Sequence, residues 1–233
     1  MARMNDLPPP PEHLSVSPPV RLPGEEAVRI EGLAGEPAIS ALVRGDRRAG
    51  RAVLLCHPHP LYGGTMHSAV VLALARGLAE RGQRIATLRF DYRGVGESGG
   101  SYGDGLGETR DARAALRFVR ERFPVAAIAV VGYSFGTWVG LRAAAIEQTA
   151  ERVALIAPAV RVFDFVREDG AAFQGRLAVY LGDLDEFCDV AEAQALAANL
   201  GASLTVLPGN DHMFRAGRRK LADTVVPFLD PPA

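Results

Sequence analysis

From residue 27 onward the apolar positions follow two rhythms. Val28-Arg29-Ile30 and Ile39-Ser40-Ala41-Leu42-Val43 alternate apolar with polar groups and predict two antiparallel edge strands. Ala52-Val53-Leu54-Leu55-Cys56 is apolar throughout, as a strand covered on both faces should be. Similar runs recur at residues 85–90, 127–131, 153–156, 177–181 and 203–207. Between them the period lengthens. Val70, Val71, Leu74 and Leu78 share one helical face, with Arg76, Glu80 and Arg81 opposite and Gly82 as a stop. Ala112, Leu116, Val119 and Phe123 form a second stripe, flanked by Arg113, Arg117 and Arg120 and ended by Pro124. Strand–helix alternation of this kind predicts an α/β fold, a doubly wound and mostly parallel sheet of about eight strands with helices on both faces.

Residues 1–24 hold seven of the 16 prolines and few large apolar groups. Such a segment cannot build a core, so it is expected to be an extended or disordered tail ahead of a single domain at 25–233. Only about 20 residues, Pro158 to Gly175, separate the run at 153–156 from the next, which predicts at most a minimal cap.

Composition narrows the classes of function. The 233 residues are 48% hydrophobic and 23% charged, as in one globular domain with a sizeable core. A net charge of −1 offers no basic excess for a polyanion, so a nucleic-acid partner is not expected. No apolar run reaches the roughly 18 residues of a membrane span, and no apolar leader segment stands near Met1. Two cysteines make no disulfide framework, and a cytoplasmic location is the expectation.

Chemistry in such sheets collects on the loops beyond the carboxyl ends of the strands. After the run at 127–131 comes Gly132-Tyr133-Ser134-Phe135-Gly136, a G-x-S-x-G between a buried strand and an apolar helix starting near Thr137. That turn is too sharp for side chains at its flanks, and it holds a serine hydroxyl above a helix N-terminus. A serine nucleophile needs a base and an orienting acid, expected in the order Ser, Asp/Glu, His. Downstream, His212 stands just past the run at 203–207, while Asp183, Asp185 and Glu186 stand past the run at 177–181. Asp185 lies far enough along its loop to swing toward the base; Asp183 is placed to brace a turn. Asp211, adjacent to His212, is badly placed to orient it. The N–H of Phe135 is the expected first oxyanion donor. A second should come from His57-Pro58-His59-Pro60-Leu61-Tyr62-Gly63-Gly64, where Pro58 and Pro60 lack the hydrogen. That leaves His59, Leu61 or Tyr62, with His59 first and Leu61 second.

Other features carry competing readings. Gly94-Val95-Gly96-Glu97-Ser98-Gly99 satisfies G-x-G-x-x-G, but Gly100, Gly103, Gly105 and Gly107 prolong the loop where a dinucleotide site would open a helix, so no cofactor is expected. His57, His59 and His67 lack a supporting carboxylate, which favours packed histidines over a metal site. Cys56 reads as a small core residue and Trp138 as core.

His57–Met66, Arg93–Ser98, Gly132–Gly136, Gly182–Asp185 and Asp211-His212 together resemble the α/β-hydrolase superfamily, in particular its small, lid-poor bacterial serine hydrolases related to dienelactone-hydrolase-like carboxylesterases. The resemblance implies Ser134 as nucleophile, His212 as base and Asp185 as acid. It departs from the dienelactone type in having serine where that group has cysteine. The expected function is hydrolysis of a small carboxylic ester or thioester through an acyl-enzyme, in a shallow pocket touched by Leu61, Tyr62, Tyr133, Phe163 and Phe165. Non-hydrolytic chemistry at the same site (acyl transfer, cyclisation or lysis) and a catalytically silent binding module are the rival expectations.

Overall fold

The computed structural model describes residues 17–165 and 172–231. Its frame is an eight-stranded sheet, with β1 (Glu25–Ile30), β2 (Ile39–Arg44), β3 (Arg51–Cys56), β4 (Ile85–Phe90), β5 (Ala127–Tyr133), β6 (Ala150–Ile156), β7 (Arg176–Gly182) and β8 (Ser203–Leu207). The strand order is β1-β2-β4-β3-β5-β6-β7-β8. β2 runs antiparallel to both β1 and β4, and the pairs from β4 through β8 are parallel. Helices α1 (Ala69–Ala79), α2 (Leu106–Arg122), α3 (Phe135–Glu147), α4 (Val190–Leu200) and α5 (Arg218–Leu229) complete the layers.

The unbroken apolar runs have a direct cause. In β6, Val153 and Leu155 enter the core beneath α2, α3 and α4, while Ala154 and Ile156 enter the core beneath α1 and α5. Period-two geometry sends successive side chains to opposite faces, and here both faces are dry.

Three sequence expectations change. β1 is an edge strand, but β2 is interior, because β4 pairs along its other side. β8, expected to be covered on both faces, is the opposite edge and is only partly buried. Helix α2 begins at Leu106, so Gly107 is helical. Its first turn is set by Glu108, whose carboxylate accepts the N–H groups of Gly103 (2.8 Å) and Gly105 (2.7 Å). Gly107 must lack a side chain, since a β-carbon there would stand 2.8 Å from the Arg93 guanidinium. That guanidinium is held by Asp111 across two nitrogens.

Most of the expected tail lies outside the described residues. Residues 17–24 run along the domain, where Leu22 is buried and the Val20 carbonyl accepts from Arg89 Nη2 at 2.6 Å. No described helix is long and apolar enough to cross a membrane.

Candidate active site

Strand β5 turns into α3 at Ser134, whose backbone takes φ 54° and ψ −118°. A non-glycine residue there stores strain of about 1–3 kcal/mol, held by its surroundings. The Ser134 N–H donates to the Ile156 carbonyl at 2.9 Å, and its carbonyl accepts from Thr137 N–H at 2.9 Å. The flanking glycines are compelled by space. A β-carbon on Gly132 would stand 2.2 Å from the Gly136 carbonyl oxygen, and one on Gly136 would stand 2.4 Å from that of Cys56.

The loops after β7 and β8 are laced together. Leu184 N–H donates to the Asn210 carbonyl at 3.0 Å. Asp183 Oδ1 accepts Gly209 N–H at 2.6 Å, so this carboxylate braces a turn. The lacing brings Asp185 to His212: Nδ1 stands 2.9 Å from Oδ2 and 3.0 Å from Oδ1. A carboxylate accepts from Nδ1–H, which leaves the Nε2 lone pair facing Ser134 Oγ at 2.9 Å. Asp185 is fixed in turn by Phe187 N–H, 2.9 Å from Oδ1. The Phe187 ring packs edge-on to the imidazole at 4.7 Å, and the Tyr133 hydroxyl donates to the His212 carbonyl at 3.2 Å. Burial pushes the Tyr133 phenol above its ordinary range, so it stays neutral. Glu186 sits on the cleft rim, and Asp211 accepts from Arg215.

Phe135 opens α3, so its N–H has no acceptor within the helix. Across from it the β3 loop tightens into a single turn over Pro60–Tyr62. Leu61 N–H is spent on His59 Nδ1 at 3.2 Å and Tyr62 N–H on the His59 carbonyl at 3.1 Å. Among the described residues the His59 N–H has no protein acceptor, the condition an oxyanion donor must meet. Burial lowers the His59 imidazole to about 4, so the ring is neutral.

His57 and His67 go elsewhere. His57 is fully buried, with Nδ1 donating to the Pro58 carbonyl at 2.7 Å and Nε2 accepting Tyr92 N–H at 3.1 Å. His67 Nδ1 accepts Val20 N–H at 3.1 Å. The Gly94–Gly99 loop folds on itself, Gly94 N–H donating to the Gly99 carbonyl, with no helix opening inside it. Trp138 packs in the core, stacked on Phe163 at 5.6 Å.

Ser134 and His212 open onto a cleft of about 320 Å3. Tyr62, Tyr133 and Phe163 line it as the sequence predicts. Leu61 and Phe165 do not: Leu61 is 40% exposed on the turn, and Phe165 packs against the core. Val162, Phe187 and Met213 also line the wall, with Pro58, Ala159 and Glu186, and escaped sequence reasoning as pocket residues, although Phe187 and Met213 stand close to the predicted acid and base. A larger groove of about 720 Å3 runs between β1, β2 and residues 17–21 without reaching Ser134; reacting groups, not size, mark the site.

Known proteins share this frame. An α/β serine hydrolase homologue from Coxiella burnetii is 28% identical, with a TM-score of 0.77 over 90% of this chain and 100% of that one. A lidless α/β serine hydrolase from Xanthomonas campestris, XC6422, is 29% identical, with a TM-score of 0.76 over 92% of this chain and all of that one. The uncharacterized protein RP471 of Rickettsia prowazekii is 28% identical over 76% of this chain and 77% of its own length. At 18% identity the Butyrivibrio proteoclasticus protein Est1E shares the fold, with a TM-score of 0.76 over 87% of this chain and 97% of that one. The family model for serine aminopeptidase, S33 (Hydrolase_4), matches residues 48–164, half of the sequence, and the chain belongs to that family of α/β-hydrolases.

Proposed function

We propose that this protein is a serine hydrolase that cleaves a small carboxylic ester or thioester through an acyl-enzyme. The observation that carries the reading is the continuous line from Ser134 Oγ through His212 to Asp185, each link 2.9 Å long. Ser134 Oγ attacks the acyl carbon while its proton passes to His212 Nε2. The carbonyl oxygen becomes an oxyanion between the N–H groups of Phe135 and His59. Collapse of the tetrahedral adduct breaks the bond to the leaving group, which takes the proton from His212. Water then repeats the sequence: its proton goes to Nε2, its oxygen to the acyl carbon, and Ser134 recovers its proton as the acid departs. Asp185 holds the imidazole in the required tautomer and stabilises the imidazolium that forms.

The cleft sets a limit on size. At about 320 Å3 and walled by rings, it suits a short or aromatic acyl group better than a long buried chain. The test is a panel of aryl esters and acyl thioesters of rising chain length, together with labelling by a fluorophosphonate. Ser134→Ala should lose about 10³-fold or more of turnover. Labelling that is absent from Ser134, or that continues unchanged in His212→Ala, overturns the reading.

A further inference from the structure

The charge and ring content of the cleft go beyond the size argument. Four carbocyclic rings line it, those of Tyr62, Tyr133, Phe163 and Phe187. Glu186 is the only acidic side chain among the lining residues, and no lysine or arginine is among them. Among the described residues no cation pairs with the Glu186 carboxylate. The guanidinium beside it, that of Arg161, donates Nη1 to the Glu186 carbonyl at 3.0 Å while Glu192 and Asp189 hold its other nitrogens. Arg215 is held by Asp211 and by Met213 Sδ, and Arg218 donates Nε to the Met213 carbonyl. The Tyr133 phenol is raised chiefly by burial; of the nearby charges Asp185 raises it most, Arg218 lowers it, and Asp211 and Glu186 add to the rise.

Ring faces carry negative charge density and attract a cation placed over them, most strongly a poorly hydrated ammonium. A lone carboxylate at the rim adds attraction of the same sign and repels a second carboxylate. Resting on the hydrolase reading above, we infer that the cleft selects esters bearing an ammonium group, with Glu186 as the residue that determines the preference. A rim glutamate serving only solubility would leave such a preference absent, which makes the two alternatives separable.

The experiment uses the full chain and a matched pair of short-chain esters, one of choline and one of 3,3-dimethylbutanol, its neutral counterpart of the same shape. The readout is the ratio of kcat/KM for the cationic ester to that for the neutral one. It should exceed one in the parent protein and fall as salt rises, because Glu186 is exposed and its field is screened. Glu186→Gln should lower the ratio about two- to fivefold, the scale of an exposed ion pair. Glu186→Lys should carry it below one. A parent ratio of one or less, or a ratio that Glu186→Gln leaves unmoved, overturns the inference. If neither ester turns over, protection replaces turnover: choline should slow phosphonate labelling of Ser134 more than 3,3-dimethylbutanol does, and Glu186→Gln should erase the difference. Equal protection overturns the inference while leaving the hydrolase reading intact. Failure of Ser134 to label at all removes the hydrolase reading, and this inference with it.

Discussion

The α-carbon of Gly136 is pressed against the main-chain carbonyl of Cys56, so that a β-carbon on it would stand 2.4 Å from that oxygen. Cys56 ends β3, and the chain continues from it directly into the turn that carries His59. The strained serine turn and the His59 N–H proposed as second oxyanion donor are therefore registered against each other through backbone, which cannot yield as a flexible side chain would. Gly136→Ala should cost about 3 kcal/mol or more, the upper end of overpacking. It should also slow phosphonate labelling of Ser134 beyond what the stability loss explains. Urea denaturation and labelling rates measured on the same protein check both; a variant with parental values in each would show that the contact relaxes freely.

The His59 ring holds its own turn. Nδ1 accepts Leu61 N–H, so Nε2 carries the hydrogen and donates to the Tyr102 hydroxyl at 3.2 Å. His59→Asn keeps an acceptor where Nδ1 stood, and Tyr102→Phe keeps the aromatic packing while losing the hydroxyl. If the ring positions the His59 N–H, Tyr102→Phe should lower kcat about tenfold with KM little changed. His59→Leu, which loses the acceptor as well, should approach the 10²-fold loss of an oxyanion donor. A trifluoromethyl ketone, which mimics the tetrahedral adduct, should weaken in parallel. A change confined to melting temperature would assign the ring to packing alone.

Much of this arrangement was legible in the residues, for identifiable reasons. Buried parallel strands advertise themselves because both faces are dry, so β3 through β7 could be read from apolar runs. The edges could not: whether β2 has a neighbour beyond β1 depends on β4, whose paired residues lie between 43 (Arg44↔Thr87) and 49 (Ala41↔Phe90) positions further along the chain. The start of α2 was hidden by Gly103, Gly105 and Gly107, because the signal lies in one buried carboxylate, Glu108, that caps from inside the helix. Ser134, Asp185 and His212 could be placed from strand ends, since the loops are short and the strands parallel. The cleft walls resisted for the opposite reason. Leu61 and Phe165 share segments with true lining residues, and only the packing of the turn and of the β6–β7 connection decides which side chains face inward.

Two buried histidines predict the acid behaviour of the fold. Burial lowers His57 to about 3 and His59 to about 4, against about 6.5 in an unfolded chain. The unfolded state thus binds more protons below pH 6.5, and stability falls as pH drops through that value toward 3. By pH 5 each histidine should have cost about 2 kcal/mol. Asp91 acts with the opposite sign. Burial raises it to about 6, so its penalty is present at pH 7 and is relieved between pH 6 and about 4. Two groups outweigh one, and urea midpoints should fall from pH 7 to pH 5. The slope should flatten in His57→Gln, and a midpoint independent of pH over that range would contradict the burial of these rings.

Arg89 and Glu25 form a pair in which each side chain is 1% exposed. Arg89 Nε and Nη2 reach the two carboxylate oxygens at 2.7 and 2.6 Å, and its remaining donors hold the Met66 and Val20 carbonyls. Removing one partner strands the other charge in a dry site. Glu25→Ala should therefore cost about 3–5 kcal/mol, whereas replacing both with Met and Leu should cost far less. The same variant frees the anchor of residues 20–22, so limited proteolysis should cut there sooner. Unfolding curves of the single and double variants decide the point: additive losses would mean the two charges do not compensate each other.

Asp183 and Asp185 stand two residues apart on one loop and do different work. Asp185 meets His212 Nδ1 at 2.9 Å, whereas Asp183 accepts Gly209 N–H and Asn210 N–H and holds the loop that carries the histidine. Asp185→Asn keeps the shape but can offer Nδ1 an amide N–H, favouring the tautomer in which Nε2 cannot take the Ser134 proton. Its kcat should fall on the order of 10⁴-fold with folding stability little changed. Asp183→Ala should do the reverse, costing about 1 kcal/mol of stability for the loss of two largely solvent-accessible hydrogen bonds while kcat drops far less. Measured side by side, kcat and the urea midpoint should move in opposite proportion in the two variants. If Asp183→Ala is the one that abolishes turnover in a fully folded protein, the orienting acid has been misassigned.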